Sequence, residues 1–268
     1  MSDRNENSIT KVGEEYNFLA EFQDADASVE GLTEYRILPR IKVIQAMSDG
    51  ELKKTYGEGS AILSPGNAMI CDSESSFLFV PVFFFVEFCL WSDRRDNSSQ
   101  NILERTFDAN SELASRSRDA DRRSEQYEGG PPTKPFTRRY VEHLNFAGMI
   151  YGDHDLQNTP CVLQFARGEF GKGRAFINSI MLRKVNGQVA PLWSQVWRFT
   201  PGLRNGDEGD WYGLDFSAPE VPFIQRNEVD AFRGLHTELK TDFDAKRLGV
   251  DMTEEESDVN DGEDDQEL

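Results

Sequence analysis

FLFVPVFFFVEFCLW, residues 77–91, is the longest apolar run in the chain. Its aromatic and β-branched side chains favour strand over helix. The run is too short to cross a bilayer as a helix, and Pro81 and Glu87 interrupt it. It therefore predicts the most buried strand pair of the fold, bent at Pro81.

Strand signals continue on both sides. Upstream, RILPRIKVIQA (Arg36–Ala46) is β-branched with Pro39 inside it, which predicts a broken or edge strand. Gly57-Glu58-Gly59-Ser60 turns into a second strand at Ala61-Ile62-Leu63. Downstream, strands are predicted near Val141–Tyr151, Cys161–Arg167, Arg174–Arg183, Pro191–Phe199 and Asp210–Phe216, with Ala175–Leu182 as a helix the competing reading. Asn186-Gly187 between apolar residues is a hairpin signal. Ser92–Glu128 changes character: an incomplete helical stripe among charges of both signs predicts an exposed helix or a mobile insertion, ended by Gly129-Gly130-Pro131-Pro132. In Asn227–Lys246, Val229, Phe232, Leu235, Leu239 and Phe243 make one amphipathic face, which predicts a helix. The fold class expected is mainly β (α+β): an OB-like small barrel with an inserted charged helical segment, a C-terminal amphipathic helix and a disordered acidic tail. The expected divisions are a polar arm over 1–30, one core domain over 31–250 with the insertion at 92–132, and the tail over 251–268.

The tail, DMTEEESDVNDGEDDQEL, holds ten Asp or Glu and no Lys or Arg. It has too little apolar surface to offset the entropy of ordering it. The whole chain of 268 residues carries a formal charge of −19. An anion-binding surface, if there is one, must therefore be local. Three cysteines without a CxxC pair argue against a disulfide framework and suit a reducing compartment. The first residues contain no apolar stretch, so no signal peptide is expected and the cytoplasm is the expected location.

Signs of catalysis are absent from the sequence. The three histidines, His143, His154 and His236, are scattered, and no HExxH, GxSxG, P-loop or EF-hand pattern occurs. Gly152-Asp153-His154-Asp155 reads as a polar turn. Cys71, Cys89, Cys161 and His143 could make a Cys₃His zinc set by count, but they lack the usual short pairs. Cys89 also sits in the apolar run, so packing is the better reading. No enzyme, metal or cofactor is expected.

What carries chemistry is a local excess of positive charge. Residues 134–204 contain ten Lys or Arg and four Asp or Glu, interleaved with aromatic residues. Cations that follow phosphates and flat rings that stack unpaired bases are what sequence-tolerant single-strand binding needs. The candidate DNA-binding residues are Arg138, Arg139, Tyr140, Lys172, Arg174, Phe176, Arg183, Lys184, Trp193, Trp197 and Arg198. Trp91, Arg94 and Arg95 join them from the end of the apolar run.

The succession RILPRIKVIQAMSDGE, GEGSAIL, FVPVFFFVEFCLWSDRRD and PLWSQVWRFTPGLRNGDEGDWYGLDF, over roughly residues 35–216, resembles a family of replication-associated proteins of tailed bacteriophages. The resemblance implies single-stranded-DNA binding. Members of that family often carry a cysteine cluster between the two halves, consistent with zinc, but Ser92–Glu128 here contains no cysteine. A basic surface followed by an acidic C-terminus is also the layout of single-stranded-DNA-binding proteins. In that layout Glu254, Glu255, Glu256, Asp258, Asp261, Glu263, Asp264, Asp265, Glu267 and Leu268 would recruit replication proteins. The alternative reading is a phage structural or assembly protein that uses the tail for protein contacts.

Overall fold

The computed structural model describes residues 37–92, 102–127, 136–206 and 209–250. The apolar run forms one continuous strand, β5 (Phe77–Trp91), rather than a strand pair. Before it come β1 (Ile37–Leu38), β2 (Arg40–Val43), a short helix α1 (Gly50–Tyr56), β3 (Ala61–Ser64) and β4 (Ala68–Cys71). Pro39 separates β1 from β2, as the sequence predicts. β5 pairs along almost its whole length with the antiparallel β8 (Phe136–Tyr151), and the register shifts between Pro81 and Phe83. Proline cannot donate to a ladder, so the irregularity falls where a donor is missing.

The segment between β5 and β8 differs from expectation. Its described part is β6 (Ile102–Thr106), helix α2 (Glu112–Arg118) and β7 (Ser124–Tyr127). β6 pairs with β5 and β7 with β8, so the insertion is held to the far end of the long hairpin. Leu113 and Ala114 of α2 are buried against Phe88, Leu90 and Tyr140.

After β8 come β9 (Pro160–Phe165), helix α3 (Phe170–Leu182), the hairpin β10 (Lys184–Val185) and β11 (Gln188–Val189), then β12 (Trp197–Arg204) and β13 (Trp211–Ser217). The predicted Asn186-Gly187 turn is there, with both residues at positive φ. The strand expected over Arg174–Arg183 is the helix α3 instead. The expected strand at Pro191–Phe199 starts only at Trp197, after a helical turn over Leu192–Ser194. The predicted C-terminal helix is α4 (Val229–Asp244), followed by β14 (Gly249–Val250), which pairs in parallel with β1.

The main sheet has ten strands in the order β13-β12-β5-β8-β9-β2-β3-β4, with β6 and β7 added at the far end of the hairpin. It is mixed: β2 runs parallel to β9, while β8 is antiparallel to both β5 and β9. The ladder does not close into a barrel. It curls until the Gln45 amide, just beyond β2, donates to the Tyr212 carbonyl and accepts from the Tyr212 N–H on β13, both at 2.8 Å. A side chain thus joins the two limbs where an OB-like barrel would need strand pairing.

Helices cover both faces. On one, Phe176 of α3 is fully buried among Phe146, Phe165, Trp197 and Phe199. Gly173 allows this approach: a Cβ there would lie 2.6 Å from the Cβ of Phe165. On the other face, Phe232 and Leu239 of α4 pack on Val80, Val82 and Met149, and Phe243 on Phe83 and Phe85. These are the residues of the predicted amphipathic face. No helix among the described residues is long and apolar enough to cross a membrane.

Candidate functional site

Residues directly opposite on antiparallel strands point to the same side of a sheet, as do residues i and i+2 on one strand. The register therefore lines up Phe85 with Asn145, Glu87 with His143, Cys89 with Val141 and Trp91 with Arg139 on the face that α4 covers. On β6, Arg105 stands opposite Cys89. On β9, Gln164 stands opposite Asn145, and on β2 Arg40 aligns with Val162. The result is a polar row across five strands, beyond the point where α4 stops covering the sheet.

The row is connected. Arg105 forms an ion pair with Glu87, which is fully buried. The other carboxylate oxygen of Glu87 lies 3.6 Å from Nδ1 of His143, beyond hydrogen-bond length. Arg40 donates to the Gln164 amide oxygen at 3.1 Å, and the Gln164 amide nitrogen donates to Asn145 at 2.9 Å. Asn145 is fully buried and His143 nearly so. Burial holds the His143 imidazole below its ordinary range, although the neighbouring carboxylate pulls the other way. Burial, reinforced by the charge of Glu87, raises the Cys89 thiol. Burial favours the neutral form of both groups.

Arginines ring this row. Arg105, Arg139 and Arg167 are exposed and Arg40 half-buried. The Arg167 guanidinium stands over the Trp91 ring, 5.5 Å from its centre, and Trp91 meets the His143 ring edge-on at 6.1 Å. Arg167 also holds a left-handed backbone, φ 50°, which is uncommon for any residue with a Cβ and recurs at functional positions. The chemistry available is a cationic surface above a buried carboxylate, thiol and imidazole.

The sequence-predicted residues are distributed differently. Trp91, Tyr140, Phe176 and Trp197 are buried, so their rings serve the core and have no free face for a base. Arg183 lies flat on Trp197 and donates to the carbonyls of Val196 and Pro222 at 2.7 and 3.0 Å, a structural role. Lys172 is paired with Asp215 at 2.5 Å. Trp193 is half-buried with Arg233 over its ring. Arg139, Arg174, Lys184 and Arg198 are exposed and form no ion pair among the described residues. They do not share a face. Arg174 is on α3, whereas Arg198 alternates with Trp197 and Phe199, which pack beneath α3, and so points to the other side. Arg138 is half-buried next to Arg139. Arg94, Arg95 and the acidic residues of 251–268 lie outside the described residues. His154 bonds the Ile70 carbonyl and the Leu156 N–H, which is the polar turn expected of it.

Sequence reasoning missed Arg40, Arg105, Arg167, Glu87, Asn145 and Gln164 as a group. One signal was available: Glu87 is the only charged residue of its fifteen-residue strand. A lone carboxylate in such a run is either paired or chemically employed.

Residues 11–231 match the family model described as Pam3 phage gp34-like protein. The match covers well over half of the chain, which therefore belongs to the Pam3 phage gp34-like protein family, a bacteriophage family. No curated protein and no solved structure matches the chain significantly.

Proposed function

We propose that this phage-family protein binds single-stranded DNA across the arginine face at the far end of the β5–β8 hairpin. The observation that carries the reading is the convergence of Arg40, Arg105, Arg139 and Arg167 from separate segments onto one side of the sheet, in a chain of net charge −19. With the rings of Trp91, Tyr140, Phe176 and Trp197 buried, phosphate contacts take the leading role over base stacking. A flexible single strand can bend its phosphates onto this strip, and the sequence resemblance to phage replication proteins points to the same ligand. The C-terminal carboxylates compete for the face when DNA is absent and engage replication proteins when it is present. Tethering gives such a segment an effective concentration on the order of mM.

The test is anisotropy of labelled oligo(dT), with a duplex of equal length as comparator, at low and high salt. We expect preference for the single strand and a log–log salt slope of about −0.7 per phosphate neutralised. Arg139→Glu combined with Arg167→Glu should abolish most of the binding with the fold intact. Removal of residues 251–268 should raise affinity at low salt more than at high salt. Equal affinity for both nucleic acids, or none for either, refutes the reading.

A further inference from the structure

Beneath the arginine face, three buried side chains of different chemistry converge, and one of them, His143, lacks a partner on its Nδ1. Glu87 and Cys89 are two apart on β5 and so share a face, and His143 stands directly across on β8. One ligand atom from each, a carboxylate oxygen of Glu87, Sγ of Cys89 and a ring nitrogen of His143, lies within 4.8 Å of the others. Glu87 and Cys89 are fully buried and His143 is 2 % exposed. Nδ1 of His143 has no hydrogen-bond partner, although it points at the carboxylate. A buried, unbonded imidazole nitrogen costs free energy unless something else engages it.

We propose that Glu87, Cys89 and His143 form a binding site for a divalent transition-metal ion of the zinc type, tying β5 to β8 under the arginine face. Thiolate, imidazole and carboxylate together are a borderline-soft donor set that suits zinc and, by the same geometry, cobalt(II). Zinc bonds of about 2.0–2.3 Å in a tetrahedron place neighbouring ligand atoms roughly 3.3–3.8 Å apart. The 3.6 Å between Oε2 of Glu87 and Nδ1 of His143 is within a few tenths of an ångström of the lower, oxygen–nitrogen end of that range. The charges also balance: a carboxylate and a thiolate neutralise the dication, and the Cys89 thiol proton leaves to solvent as the metal enters. Arg105 holds the other oxygen of Glu87, leaving Oε2 for the metal. A partner on the far oxygen is a common way to orient a ligating carboxylate. Three protein ligands leave one position for water. This inference does not depend on DNA binding.

The experiment uses the full chain, stripped of metal by a chelator in denaturant and refolded with cobalt(II). We expect one equivalent bound, with tetrahedral bands in the visible and a thiolate-to-cobalt charge-transfer band in the near ultraviolet. Cys89→Ala should remove the charge-transfer band, while Cys161→Ala, in the apolar core, should keep it. Glu87→Gln should weaken binding about tenfold or more at unchanged near-ultraviolet circular dichroism. This variant and the wild-type titration decide the matter even where Cys89→Ala does not fold. Refolded wild type without the charge-transfer band overturns the proposal. So does a band that survives Cys89→Ala, or affinity unchanged in Glu87→Gln.

Discussion

The two ends of the β5–β8 hairpin are built from the same pair of strands and are equally buried, yet they are filled in opposite ways. At the near end, Phe79, Phe146 and Ile150 join Phe165, Phe176 and Phe199 in an all-apolar layer beneath α3. At the far end, on the opposite face of the sheet, the buried side chains are Glu87, His143 and Asn145. Burial of rings is favourable by roughly 25 cal/mol per Å² of apolar surface, whereas burial of an ion or amide is unfavourable unless each polar atom finds a partner. The near end is therefore what holds the fold together. The far end costs stability, and such a cost is characteristic of a region kept for binding or metal chemistry.

The largest effect should come from the near end. Phe176→Ala removes the ring that meets Phe146, Trp197, Phe199 and Phe216 at centroid distances of 4.9 to 5.3 Å. Loss of such a buried ring should lower unfolding free energy by about 3–5 kcal/mol, read from the urea midpoint at unchanged m. A loss below about 1 kcal/mol would mean that α3 is not anchored by its aromatic face, and the comparison would fail at its stronger end.

At the far end, Arg105→Ala strands the Glu87 carboxylate without its cation. Enclosed pairs broken in this way lose about 3–5 kcal/mol; Arg105 is one-third exposed, so water enters and about 2 kcal/mol is expected. Replacing both partners together, Glu87→Met with Arg105→Met, should restore most of that stability, because the ion pair is not itself a source of net stabilisation. Should the double variant be no better than the single one, the polar row would be structural after all. The double variant should also bind no cobalt, which links the thermodynamic test to the chemical one.

The contrast between the ends also marks what the sequence could disclose. The near end was legible: the aromatic run at Phe77–Trp91 announces a buried strand, Asn186-Gly187 a hairpin, and the spacing of Phe232, Leu235, Leu239 and Phe243 a helix. Each is a local pattern with a local cause. Helix α3 reads first as a strand, with a helix over Ala175–Leu182 only the competing reading, because Gly171 and Gly173 break its helical pattern, and Gly173 is small for the sake of close packing on Phe165, a tertiary reason. The insertion carries the helix its stripe predicts, but its strands are not in the local pattern, because β6 and β7 are edge strands whose partners are the ends of β5 and β8. The far-end site was least legible. Glu87 and His143 meet only through strand register, and no spacing along the chain encodes that. The same interleaving of rings and bases that suggested a stacking surface over 134–204 arises here from strand alternation, as Trp197 and Phe199 turn inward while Arg198 turns out.

The smallest effect tests whether polarity or burial makes the far end costly, using polar groups that the near end leaves partly in water. Glu169, Arg204, Asp215 and Lys172 form a chain of ion pairs beside β12 and β13. Burial alone would raise the Asp215 carboxyl, but the bonds from Lys172 and Arg204 outweigh it and hold the group below the usual carboxylate range. A carboxyl that binds its proton less readily folded than unfolded contributes stability above its unfolded pKa of about 3.9. That contribution disappears as pH falls from there through the folded value. Asp215→Asn should therefore reduce stability near neutrality and flatten its decline in acid. Since Lys172 and Asp215 are each close to half exposed, solvent screens the pair and only a few tenths to about 1 kcal/mol is expected. Urea titrations near neutrality and at about pH 3 give both numbers. An effect as large as that of Arg105→Ala would show that exposed and buried ion pairs are worth the same in this fold, and the distinction drawn between its two ends would then rest on something other than burial.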